Sequence, residues 1–149
     1  MPNSAYLHLL LNHFPVLGTG FVLLIFFYAI IKRNEKTQKL CLMMIVLLSL
    51  ITIPVFVSGN NAEGTVKGLE GIVEENIEPH QDFAQKSFLA IEILGLFSII
   101  TLFIFKQPKN IPTWLSILLF ILLISVNAMM IYTAHLGGKI AHNELMNKK

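Results

Sequence analysis

The sequence predicts an all-α integral membrane protein, a four-helix bundle running up-down-up-down, with both termini on the non-cytoplasmic side. Three observations predict it. Apolar residues make up 54% of the chain and charged residues 13%, where soluble domains average nearer ~25% charged. Four apolar runs are long enough to cross a bilayer. The basic residues fall on alternate connections between those runs.

A hydrocarbon core needs about 20 mainly apolar residues per helix. The runs over 14–31, 40–57 and 114–132 contain no charge, and the run over 88–105 contains only Glu92. All four belong to a single membrane domain, residues 1–149. The first run lacks a preceding basic segment and is followed by charge rather than by a small-residue cleavage site, so it is expected to be retained.

Short basic loops stay on the cytoplasmic side. The connection after the first run carries Lys32, Arg33, Lys36 and Lys39 against Glu35, and the one after the third carries Lys106 and Lys109. The connection after the second holds Glu63, Glu70, Glu74, Glu75, Glu78 and Asp82 against Lys67 and Lys86, which suits the opposite face. The tail lysines Lys139, Lys148 and Lys149 run against the rule, but signals around the first span dominate.

No internal repeat or low-complexity tract is evident. Residues 59–77 form the only long connection, with a turn expected at 58–61 and a short surface helix over 63–75. Dispersed lysines and a net charge of +2 exclude a nucleic-acid footprint. The single cysteine, Cys41, excludes a disulfide framework, a CxxC redox pair and covalent haem attachment.

This topology puts all five histidines at one end. His8 and His13 open the first span, His80 leads into the third, and His135 and His142 leave the fourth. A rise of ~1.5 Å per helical residue places His8 and His135 ~36 Å, His80 ~39 Å and His13 ~28 Å from the inner ends of their helices. Three helices therefore deliver histidines to similar heights. Gly137 and Gly138 either end the last helix or leave room for a flat ligand or another backbone; if the helix continues, His135, Gly138 and His142 share a face. Glu92, the one ionisable group inside a span, is expected to face the bundle interior. There it either handles a proton or meets a quinone head, or it is a protonated carboxyl bonded to Asn127 or Ser125. Trp114, Tyr132 and Tyr6 fit interfacial anchors.

The stretches LNHFPVLG, SGNNAEGTVKGLEGIVEENIEPHQDFA and HLGGKIAHNEL resemble small bacterial four-helix membrane proteins of unknown function, some of them described as cytochrome-like. The resemblance spans nearly the whole chain. It rests on His8, His13, Glu63, Glu78, His80, Gly137, Gly138, His142 and Glu144, and it implies a bacterial inner-membrane location. Members of the group often carry arginine where Ala141 stands, so a partner for an anionic group such as a haem propionate is lost here.

Three functions follow. In the first, histidines from facing helices hold a b-type haem, which carries electrons between quinone and a periplasmic or membrane partner. His13, His80, His135 and His142 are the preferred ligands, with His8 fifth, and Gly137, Gly138 and Glu92 lie around the cofactor. In the second, His13, His80, His142, Glu63, Glu78 and Glu144 supply a zinc, copper or iron site. In the third, the chain is an accessory subunit of a membrane complex and has no cofactor.

Overall fold

The computed structural model describes residues 4–67 and 71–141. It is all-α. Helix α1 (Ser4–Leu11) leads into α2 (His13–Ile31); α3 (Glu35–Val66) follows, then a 3-10 turn (Glu74–Asn76), α4 (Ile77–Ile104) and α5 (Thr113–Ala141). Among the described residues four helices, α1 and α2 counting as one, are long and apolar enough to cross a membrane. Helix α2 packs against α3 and α5, α4 packs against the same two, and α1 lies on α3.

The core is mainly apolar, but large apolar side chains also cover the outside and small hydroxyl residues lie within. Large apolar side chains such as Leu17 (71% exposed) and Phe103 (75% exposed) point outward, while Thr19, Ser49, Thr52, Ser87, Ser98, Thr101 and Ser116 are buried. Small residues between helices allow close approach when lipid tails offer no hydrophobic contrast. Gly95 shows the effect: a Cβ there would lie 2.5 Å from Ser49 Oγ. The buried hydroxyls need donors and acceptors, and most turn back on their own helix, as Thr52 donates to Leu48 O (2.7 Å) and Ser98 to Leu94 O (2.8 Å).

The end bearing the basic turn is pinned by polar contacts. Asn34 caps α3 by accepting from Thr37 N. Glu35 accepts from Ile111 N, and Lys39 donates to Lys109 O (2.7 Å). Deeper in the bundle, Gln38 of α3 donates to Ala29 O and accepts from Ser116 Oγ of α5 at 2.6 Å.

Several expectations about the opposite end are corrected. Residues 58–61 are not a turn, because α3 continues through them to Val66. Helix α1 covers this extension, Ser4 donating to Asn61 O. No single helix covers 63–75; Glu63 belongs to α3 and Glu74 to the 3-10 turn. Helix α4 begins at Ile77, with Pro79 in its first turn, where a missing N–H costs nothing. Gly137 and Gly138 do not end α5, which runs on to Ala141. Val73 N and Asn76 Nδ2 donate to Ile140 O and Lys139 O, fastening the connection to that extra turn. The break between α1 and α2 falls at Asn12, three residues before Pro15, whose absent N–H leaves Leu11 O without a helical donor.

The buried positions of α2 and α4, and those of α3 and α5, fall in step although the residue types differ. The 72 residues from His8 to His80 also carry the buried Pro15, Thr19, Val22, Phe26 and Ala29 of α2 onto the buried Ser87, Ile91, Leu94, Ser98 and Thr101 of α4. The 78 residues from Val55 to Thr133 carry Gln38, Cys41, Ile45, Leu48 and Thr52 of α3 onto Ser116, Leu119, Leu123, Val126 and Met130 of α5.

Candidate functional site: a histidine pair in an apolar cavity

Helices α1 and α4 bring His8 and His80 together, their ring centroids 6.5 Å apart and their planes at 75°. Each ring is fixed by a backbone carbonyl. His8 Nδ1 lies 3.0 Å from Val55 O of α3, and His80 Nδ1 lies 3.1 Å from Thr133 O of α5. A carbonyl only accepts, so Nδ1 carries the proton in both rings and Nε2 is left as a lone-pair donor. This is the tautomer that a metal-ligating imidazole needs, held by the kind of outer contact that orients such ligands.

Spacing supports the same reading. The centroids are close enough for one bound group to be held by both rings. Each imidazole can rotate about its own metal–nitrogen axis, so steeply inclined planes are compatible with shared ligation.

The pair lines a cavity of about 430 Å³, within the ~300–1,000 Å³ typical of ligand pockets. Phe56 and Phe88, stacked at 4.4 Å and 6°, form part of one wall. Asn12, His13 and Gln81 are among its polar residues, and Asn12 Oδ1 is buried without a hydrogen-bond partner. At the rim, Glu63 accepts from Gln81 Nε2 (2.7 Å) and pairs with Lys67. The hydrogen bond and charge of Glu63 raise the Lys67 ammonium above the usual lysine value.

Other expected site residues are placed as follows. His13 lines the cavity from an exposed position on α2. His135 is exposed, outside the lining, with its ring 6.3 Å from that of Tyr132. Gly137 and Gly138 both line the cavity, while Glu78 is exposed and does not. His142 and Glu144 lie outside the described residues. Among the described residues no three His, Cys, Asp or Glu side chains gather as a metal-ion cluster. Tyr6, Trp114 and Tyr132 are exposed.

Glu92 requires a correction. Its Oε1 is buried with no hydrogen-bond partner, and neither expected neighbour reaches it. Asn127 is committed to α2, donating to Val16 O and Thr19 Oγ1, and Ser125 donates to Ile121 O on its own helix. The contacts that sequence reading missed are Val55, Thr133 and Gly59. The pairs Val55/Gly59 and Thr133/Gly137 are each four residues apart, and that shared spacing was a usable signal.

Comparison with family models, curated proteins and solved structures finds no match. The functional reading therefore rests on the geometry of the histidine pair.

Proposed function

We propose that the protein is a membrane b-type haem protein with His8 and His80 as axial ligands, carrying electrons between the quinone pool and a partner on the outer face. The observation that carries this reading is the imidazole pair: both Nδ1 atoms anchored on carbonyls and the centroids 6.5 Å apart. A haem supplies one-electron transfer at a potential tuned by its ligands and surroundings. The residues present fit it. The porphyrin provides four nitrogen ligands and asks two of the protein, whereas a zinc, copper or iron ion bound directly asks three or four. Among the described residues no third His, Cys, Asp or Glu side chain joins the two imidazoles, which favours the former.

The chain's own groups have definite tasks. Val55 O and Thr133 O hold the two rings in the lone-pair tautomer, beside a wall that includes the stacked Phe56 and Phe88. Burial of this kind favours the less charged state of a bound redox group. The helices run up-down-up-down in a bacterial inner membrane, with the histidine end toward the periplasm. The basic content of the connections at the other end supports that orientation.

An absorption spectrum of the purified protein, before and after dithionite, tests the proposal. Soret and alpha bands that sharpen on reduction are expected. Their absence, in protein expressed with ample haem supply, overturns it and leaves an accessory subunit or a non-haem site.

A further inference from the structure

The two histidine stations are built alike. His8 bonds Val55 O and packs on Gly59, four residues along α3; His80 bonds Thr133 O and packs on Gly137, four residues along α5. The shift of 78 residues from Val55 to Thr133 is also the shift from Gly59 to Gly137. It relates Gln38 to Ser116 as well, and these two hydrogen-bond to each other. Equivalent residues thus meet at two levels of the bundle, at Gln38 with Ser116 and at His8 with His80. Two equivalent residues in contact lie astride a common axis, so the histidine cavity sits where that axis leaves the bundle.

We propose that the chain is two copies of one helical hairpin, α1–α3 and α4–α5, and that Gly59 and Gly137 are the positioning residues of the copies. Each glycine seats the imidazole of its own hairpin, so that one metal-centred group is held equally from both sides. The proposal rests on the reading of His8 and His80 as a ligand pair. A side chain at either position would press on the ring beside it. A Cβ on Gly59 would lie 2.9 Å from His8 Cε1 and 3.0 Å from its Nδ1, and one on Gly137 would lie 3.1 and 3.4 Å from the same atoms of His80. A ring pushed aside there shifts relative to the carbonyl it bonds. Gly64, also on α3, has nothing within 4 Å of the same construction, so its replacement serves as a control.

The test compares wild type, Gly59→Ala, Gly137→Ala and Gly64→Ala by two measurements. One is the nitrogen NMR signature of histidine-labelled, haem-free protein; the other is titration with hemin. Wild type should show His8 and His80 with the proton on Nδ1. Gly59→Ala should disturb the His8 signature and Gly137→Ala that of His80. Each should weaken hemin binding by about tenfold, as loss of an outer-shell contact does, Gly59→Ala the more strongly. Gly64→Ala should match wild type in both measurements. Unchanged tautomers in either cavity variant, or an equal effect of Gly64→Ala, would overturn the proposal. Should wild type take up no hemin, the haem reading falls by itself, and the tautomer measurement still decides whether the two glycines position the rings.

Discussion

A histidine ligates a metal only through an unprotonated nitrogen, so the proposed ligand pair turns on what fixes the proton on the other nitrogen. His8 and His80 have that fixation from Val55 O and Thr133 O. His135, exposed beside Tyr132, does not line the cavity. His135→Ala should therefore leave haem content and spectrum as in wild type, measured by absorption on purified protein; loss of the Soret band would move a ligand to the tail of α5. Glu92 is the other residue whose chemistry the surroundings constrain. With Oε1 buried and unpartnered, Glu92→Gln should insert and fold normally, since size and hydrogen-bonding capacity are kept. Glu92→Lys places a cation within a span, where insertion costs ~2.5–3.5 kcal/mol at a helix centre, and should reduce the membrane-integrated yield severalfold. Equal yields of the two would place this carboxyl in contact with water or headgroups.

At the scale of helices, small polar residues sit among the apolar core and join one helix to another. Gln38, donating to Ala29 O and accepting from Ser116 Oγ, ties three helices at one level. Gln38→Ala leaves the Ser116 hydroxyl without that partner and should cost about 1–3 kcal/mol, read as a lower denaturation midpoint in detergent. A midpoint unchanged from wild type would show the contact to be dispensable. The helices themselves were legible as uncharged runs, because length and apolarity suffice to mark a span. Their ends were less so. Asn60 and Asn61 beside Gly59 read as a turn by residue type, yet α3 passes through them under the cover of α1, a tertiary contact that local preference does not encode. Gly137 and Gly138 likewise read equally as a stop or as a hollow, and the turn beyond them is fastened by Val73 and Asn76 from a distant part of the chain.

For the whole molecule, charge on the connections predicts which side each end occupies. A cysteine replacing exposed Asn61 should react with an impermeant thiol reagent in intact spheroplasts, and one replacing exposed Lys36 should not; reversed labelling would invert the orientation. The histidine end itself was legible from sequence, since height along a helix follows from residue count. Which two rings meet was not, because rise arithmetic carries no information on azimuth. His8 and His13, five residues apart on the same span, both line the cavity, but the ring contact with His80 is made by His8. The proposed repeat escaped notice for a related reason: shifts of 72 and 78 residues superpose burial, matching Phe26 with Ser98 and Gln38 with Ser116, and conserve few residue types. The most direct measurement of the central claim is electron paramagnetic resonance of the oxidised protein, beside His8→Ala and His80→Ala. Two axial imidazoles with planes inclined at 75° should give a strongly anisotropic low-spin ferric signal in wild type, lost in each single variant. A low-spin signal surviving in either variant, or a high-spin signal common to all three, would contradict His8 and His80 as the ligand pair.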